Sequence, residues 1–517
     1  MTIFILLFFY YCLYSLPAKA ELKQSEAELI TEMKKGLRIK NILLTGNTVL
    51  TEEERNKIFN NWIGKPANDE TYAKIKNEIE KLYAQKGYST SGVVFSNFSE
   101  NLKQLTIQIV EGKIEEVEII GLKNLSKDFI LKRLEITQPY NEQILLRSAE
   151  VLRLSPLLQE IEIERIQGTK VGLSKLIVNL KEAKSFKGNV FFSNDSPETI
   201  GEFKRGFNIS KSSLFDSGDR FSFTLFNTEG NTNFNANYSN ILNAKDTQIT
   251  FSVGRGLANV TGSGLDVLDI EFDSWYAVVG LSHPLERSKT GGTFIGCSYV
   301  IQNSTSTLSD ELFRLNLGAD SKGRTRLRPL ICFGNWIRNT PKDSIQIIPS
   351  IHFGTSLFGG TINELGPDSR YFYFSNNLAW RHRLNNNFFT ITRAKMQLTP
   401  MEIPSEERFK LAGFSVVRGY PEASLFADNG IFLSAEGRWK ILEIEKINTS
   451  LTLAPFIDFA SGWDTIDLNL DPSTIASTGI GLLIINEDFL TAGFYYAIPL
   501  TRTEEKQNFS VIFNFSF

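Results

Sequence analysis

The chain has 517 residues, which at about 150 residues per domain implies more than one domain, and its 55 Lys and Arg against 58 Asp and Glu leave a net charge of −3. That balance supplies no basic field for nucleic acid. The mean hydropathy of −0.13, with apolar runs past residue 20 such as Ile480 to Ile485, excludes a bundle of membrane helices, each of which needs roughly 18 apolar residues. At the start of the chain, Ile3 to Leu16 are almost wholly apolar and Ala18-Lys19-Ala20 is an A-x-A site, so residues 1–20 read as a secretory leader. Residues 21–37 form a short segment before the first periodic element.

Residues 38–184 are rich in Lys, Glu and Ile, and they repeat when slid by 75. Ile39, Ile42, Leu44, Gly46, Leu50 and Thr51 fall opposite Ile114, Val117, Ile119, Gly121, Leu125 and Ser126: an alternating strand, a glycine turn and a helix cap at matching places. The copies also close alike, with Leu105 to Ile109 before Glu111-Gly112 and Leu176 to Leu180 before Glu182-Ala183. Between these strands Tyr72, Ile75, Ile79 and Leu82 make one apolar helical stripe. The predicted order is strand, helix, helix, strand, strand, over 38–112 and again over 113–184. A helix-covered sheet of three strands leaves an open edge whose unpaired N–H and C=O groups accept an extended chain.

Gly46-Asn47-Thr48-Val49-Leu50, followed by Tyr83-Ala84-Gln85-Lys86-Gly87-Tyr88, resembles the first polypeptide-transport-associated (POTRA) domain of two-partner secretion transporters, the haemolysin secretion/activation family. The second repeat, with Gly121 in its turn, resembles the second such domain. Members of that family often carry a pore-plugging N-terminal helix; residues 21–37 would span only about 25 Å as helix, so no plug helix is expected.

From Gly188 to Phe517 helical periodicity gives way to alternation. Phe221, Phe223 and Leu225 alternate with Ser222 and Thr224, and Ile431, Leu433, Ala435, Gly437 and Trp439 alternate with Phe432, Ser434, Glu436, Arg438 and Lys440. A soluble sandwich buries its apolar face within about 100 residues; this pattern runs three times as far. A transmembrane antiparallel barrel over 188–517 fits, its apolar face toward lipid and its polar face toward the lumen, with roughly 16 strands. The fold class is therefore α+β repeats followed by an all-β barrel. Cys297 and Cys332 are too few and too far apart for a disulfide framework or a zinc site, and no metal or cofactor is expected. Arg324, Arg326 and Arg328, like Arg381, His382 and Arg383, fit a lumen lining or a membrane-surface belt. Asp464, Asp467, Asn469 and Asp471 lack calcium-loop spacing and read as a solvated loop.

Val417-Arg418-Gly419-Tyr420 matches the loop motif of POTRA-bearing outer-membrane barrels. The resemblance implies a loop folded back into the pore, with its arginine paired to an acidic residue on a neighbouring strand; Asp458, in Phe456 to Gly462, is the candidate. Alternation independently sets Asp458 opposite Leu453, Pro455, Ile457 and Phe459, on the lumen side. Losing one partner of such a pair costs about 3–5 kcal/mol if it is dry and about 1 kcal/mol or less in a wet lumen, so a change in transport and not wholesale unfolding is expected. Glu436, Arg438 and Lys440 share the lumen face as possible pore lining. The last strand, with Phe509, Val511, Phe513, Phe515 and Phe517 on one face, resembles the sorting signal read by the barrel assembly machinery.

No nucleotide loop, zinc-protease motif or nucleophile elbow occurs in the sequence, so no enzyme is expected. The resemblance implies a pore that exports an adhesin- or haemolysin-like partner polypeptide from the periplasm across outer-membrane lipid to the cell surface, the POTRA domains capturing the unfolded client. The alternatives are an insertase that assembles other barrels and a passive porin or receptor.

Overall fold

The computed structural model describes residues 36–215, 217–262, 264–466, 473–502 and 506–517. The predicted leader, residues 21–35 of the segment after it, and Asp467, Asn469 and Asp471 lie outside the described residues. The chain divides into two compact units. One runs to Gly121 and takes in Leu134–Leu152 and Glu160–Leu180; the other holds Leu122–Arg133, Arg153–Gln159 and Lys181–Phe517.

The first repeat comprises β1 (Asn41–Thr45), α1 (Glu52–Trp62), α2 (Asp69–Gln85), β2 (Gly92–Ser99) and β3 (Gln104–Val110), in the predicted order. Thr51 opens α1 with a capping box closed by Glu54, and Asn68 caps α2 through the Thr71 N–H; both satisfy amides that a helix start leaves unpaired. The sheet runs β1-β3-β2, with β1 and β3 parallel. Its central strand buries Leu105, Ile107 and Ile109 against Ile75, Ile79 and Tyr83 of α2. The buried stripe thus runs through Thr71, Ile75, Ile79 and Tyr83, with Tyr72 and Leu82 at its margins, so its two ends fall one residue from the predicted face.

The second repeat follows with β4 (Lys113–Ile120), α3 (Lys127–Leu131), α4 (Glu142–Arg153), β5 (Leu158–Gln167) and β6 (Leu173–Glu182), its sheet ordered β4-β6-β5. The 75-residue displacement is visible in the turns. Gly46 and Gly121 have φ of 76° and 95°, and a Cβ on either would stand 2.3 Å from the Ile109 carbonyl oxygen or 2.0 Å from that of Leu180. Only glycine tolerates both the dihedral and the approach. Behind each turn a carboxylate gathers the backbone: Glu111 accepts from the Thr48 N–H at 2.6 Å, and Glu182 from the Lys123 N–H at 2.7 Å.

The barrel is a closed antiparallel ring of 16 strands. Its first half is β7 (Phe186–Ser193), β8 (Lys204–Ser212), β9 (Arg220–Asn227), β10 (Asn231–Ile241), β11 (Gln248–Asn259), β12 (Ile270–Ser288), β13 (Gly291–Leu308) and β14 (Pro329–Asn339). The second is β15 (Asp343–Gly354), β16 (Phe372–Arg383), β17 (Phe388–Leu398), β18 (Asn429–Ile444), β19 (Thr449–Trp463), β20 (Thr474–Asn486), β21 (Leu490–Pro499) and β22 (Phe509–Ser516). β22 closes on β7, from Ile512 opposite Ser193 to Ser516 opposite Asn189. Full closure leaves no barrel edge unpaired, as a hydrocarbon surround requires.

Alternation sets the two faces. Leu433, Trp439 and Ile457 are exposed on the outside, while Phe432, Ser434, Glu436 and Asp458 are buried inside. The inner face is not uniformly polar, because Phe432, Ala454, Phe456, Leu483 and Tyr495 are also buried there; a loop folded into the barrel supplies their apolar partners. Cys297 and Cys332 correct another expectation. They lie directly opposite each other on β13 and β14 and form a disulfide, because strand register erases a sequence separation of 35 residues.

Candidate functional site

The segment between β17 and β18 folds inward on a short hairpin, Phe409–Lys410 paired with Phe426–Ala427. Leu411, Ala412, Val416 and Val417 of this loop pack with Phe432, Ala460 and Ile475 of the barrel wall. The loop therefore carries an apolar anchor before any charge is counted, and that anchor excludes water from the residue that follows.

Arg418 is that residue. Its Nε donates to Asp458 Oδ2 at 2.7 Å and its Nη2 to Asp458 Oδ1 at 2.9 Å, while Nη1 reaches Glu436 Oε2 at 2.6 Å. The Arg418 backbone N–H also points to Asp458 Oδ2. Arg438 Nε donates to the other Glu436 oxygen at 2.7 Å, so two guanidinium groups face two carboxylates. The Arg418 guanidinium lies 3.5 Å above the centroid of the Phe456 ring and 5.3 Å from that of Tyr495, a cation–π seat that adds to the fork.

The structure brings Arg418 and Asp458 together, in surroundings other than a wet lumen. Arg418 is 2% exposed and Asp458 0%, so the wet-lumen estimate fails. The pair is dry, and removing one partner falls in the range of about 3–5 kcal/mol. Glu436, expected as lining, is a second ligand of Arg418. Only strand register reveals this: Ser434 lies opposite Asp458 and Glu436 opposite Phe456, so the two carboxylates sit one rung apart. Lys440 pairs with Glu443 at 2.6 Å.

The flanking motif residues lock the backbone. Gly419 has φ of 93°, and a Cβ there would meet Ala497 Cβ at 3.1 Å and Pro499 Cδ at 3.3 Å. The Tyr420 hydroxyl donates to the Ala476 carbonyl at 2.8 Å and accepts from the Thr501 N–H at 3.2 Å. A further clamp holds the stem, one that sequence reasoning missed. Arg408 pairs with Asp464, and Glu407 accepts the Tyr371 and Tyr373 hydroxyls at 2.8 and 2.6 Å. The sequence carries no periodic signal for these contacts, since they join the loop stem to another loop and to the start of β16.

Arg324 and Arg326 pair with Asp320. Arg328 is buried, donating to the carbonyls of Gln302 and Leu327, so these three form neither a free lining nor a belt. Phe513, Phe515 and Phe517 are exposed on the outer face, and Phe517 exchanges both backbone bonds with Gly188 at the seam. In the first repeat Asn47 and Glu111 share the Tyr83 hydroxyl, at 2.7 and 2.9 Å. Burial, with Glu111 alongside, pushes that hydroxyl above its ordinary range. Gly87 ends α2 at φ 91°, with Tyr88 packed edge-on against Tyr83. A groove of about 650 Å³ runs between α2 and β2, lined by Asn77, Glu80, Lys81 and Ser89 to Gly92.

Residues 37–112 match the ShlB-type POTRA domain. The Heme/hemopexin transporter protein HuxB of Haemophilus influenzae (strain 86-028NP) is 22% identical over 433 residues, covering 79% of this chain and 73% of that protein. The solved structure of CdiB from Escherichia coli superposes with a TM-score of 0.66 at 17% identity, covering 96% of this chain and 98% of CdiB. BamA from Haemophilus ducreyi lacking POTRA domains 1–3 gives 0.58 at 14% identity, covering 93% and 100%; both likenesses speak to fold. Residues 172–483 match the family described as "Haemolysin secretion/activation protein ShlB/FhaC/HecB", a transporter family of the outer membrane with periplasmic POTRA domains, and the chain belongs to it.

Proposed function

We propose that this protein takes a secreted, haemolysin- or adhesin-like partner polypeptide from the periplasm to the cell surface, as a conduit and not as an enzyme. One observation carries the reading: strand-edged sheets precede a closed barrel whose lumen holds a loop pinned by a dry arginine fork. The edges β1 and β2 of the first sheet, and β4 and β5 of the second, offer unpaired backbone groups to an extended client, and the groove beside β2 offers side-chain room. The Arg418 cluster holds the loop across the pore, so the passage is shaped before a client arrives. With no nucleotide site in the sequence, direction comes from the client, which gains stability by folding outside. The outer wall meets membrane lipid, and the Phe513, Phe515 and Phe517 strand engages the assembly machinery during biogenesis.

The test compares the medium and the protease-shaved surface of cells with and without this chain by mass spectrometry. Loss of one or a few large proteins, with other outer-membrane barrels at normal abundance, is the expected result. A general fall in barrels would replace export with the insertase role that the BamA-like fold also permits.

A further inference from the structure

Away from the strand ends, the inner wall of the β8 to β13 arc is uncharged, while that of β16 to β18 is basic. Following register around the ring, Asn208, Thr224, Asn235, Gly254, Tyr276 and Gln302 occupy one inward rung of β8 to β13. At the inward positions of these six strands charge is confined to the strand ends, at Lys204, Arg220 and Arg287, of which Lys204 pairs with Asp195 and Arg287 with Asp246; the rest are Asn, Ser, Thr, Gln, Tyr, Gly and apolar residues. On the opposite arc the rung through Asp458 continues to Ser434, Arg393 and Ala379. The inward positions of β16, β17 and β18 therefore include Arg381, Arg383, Arg393, Lys395, Arg438 and Lys440. Glu436 answers Arg438, and Lys440 has Glu443. Arg381, Arg383, Arg393 and Lys395 have no carboxylate within salt-bridge distance among the described residues; Arg381 rests on the Phe389 ring and Arg393 reaches the Ser434 hydroxyl. Uncompensated like charges inside a low-dielectric wall focus a positive field on the passage.

We propose that the lumen selects on charge: the neutral arc is a low-affinity track for an extended backbone, and the basic arc attracts the carboxylates of acidic client segments and resists basic ones. The proposal rests on the export reading for its client, though the field itself does not. A one-signed cleft enriches counter-ions by about tenfold or more, so the full-length protein in a planar bilayer under a KCl gradient is expected to pass chloride over potassium by at least about threefold. Arg383→Glu with Lys395→Glu, two side chains with no hydrogen-bonded partner among the described residues, is expected to reverse that preference. A wild-type pore with no preference, or one for potassium, overturns the proposal.

A second measurement does not need an open pore. Fluorescence anisotropy of labelled decaglutamate on the detergent-solubilised full chain should show binding that weakens by about tenfold in Arg383→Gln with Lys395→Gln, in line with the enrichment such a cleft gives, and decalysine should not bind. Equal decaglutamate affinity for both proteins overturns the proposal. The two readings also fail differently. Normal secretion without this chain, alongside a chloride-selective pore, sinks export and leaves the field; a vanished client of strongly basic composition sinks charge selection and leaves export.

Discussion

The repeats and the barrel invert each other's chemistry. In the first repeat Ile75, Ile79, Leu105 and Ile107 are the core, and the polar bonds of Thr51, Glu54 and Glu111 lie near solvent. In the barrel Leu433, Trp439 and Ile457 are outside, and the most deeply buried groups include Arg418, Glu436 and Asp458. Lipid supplies the apolar phase for one surface, so the interior is free to hold ions that a soluble core excludes. The same kind of bond therefore carries different weight in the two units, and point changes should rank accordingly.

The largest effect is expected in the barrel. Arg418→Ala leaves Asp458 and Glu436 dry and facing each other, and should cost about 3–5 kcal/mol, read as a lower thermal midpoint of the purified barrel and raised resting conductance. Arg418→Lys should recover little, because an ammonium cannot reproduce a fork across two oxygens. A change of less than about 1 kcal/mol, the size of an exposed pair, would place the cluster in water and remove the contrast.

Next come the turns of the repeats. Gly121→Ala forces a side chain into a left-handed backbone and against the Leu180 carbonyl oxygen, with an expected loss of about 1–3 kcal/mol. Gly64 is the control: its φ is 87°, but a Cβ there meets nothing within 4 Å, so Gly64→Ala should lose only the conformational part, about 1–2 kcal/mol. Urea midpoints of the full chain, followed by a fluorophore in the repeats, compare the two. Thr51→Ala removes the α1 cap and should cost about 1 kcal/mol, checked by faster amide exchange in the first turn of α1.

What the sequence made legible follows the same division. A two-residue period, a glycine turn and a helix cap are local, so the repeats, the barrel and the inward side of Asp458 were readable residue by residue. Arg418 came with its motif, and face parity independently placed Asp458. Glu436 as a second ligand, the Cys297–Cys332 bridge and the Arg408–Asp464 clamp depend on which residues lie opposite across strands or loops, and no single segment records that. The dryness of Arg418 escaped for another reason: Val416 and Val417 exclude water only once the loop is folded into the barrel.

The smallest effect separates the units by pH. For Glu182, partial burial favours the neutral form, but the N–H groups of Lys123, Asn124 and Leu125, with the Asn124 side chain, outweigh it and hold the carboxyl below its ordinary value of 4.5. A depressed folded pKa means that the unfolded chain binds the proton first. The contribution is present in full above the unfolded value and is lost as pH falls through the folded one. Unfolding of the repeats should therefore steepen below about pH 4.5, the range where a free Glu takes up its proton, and Glu182→Gln, which lacks this contribution at every pH, should lower the neutral-pH midpoint modestly and flatten that limb. An unchanged acid limb in Glu182→Gln would move the sensitivity to other carboxylates and leave the turn after Gly121 held by its backbone alone.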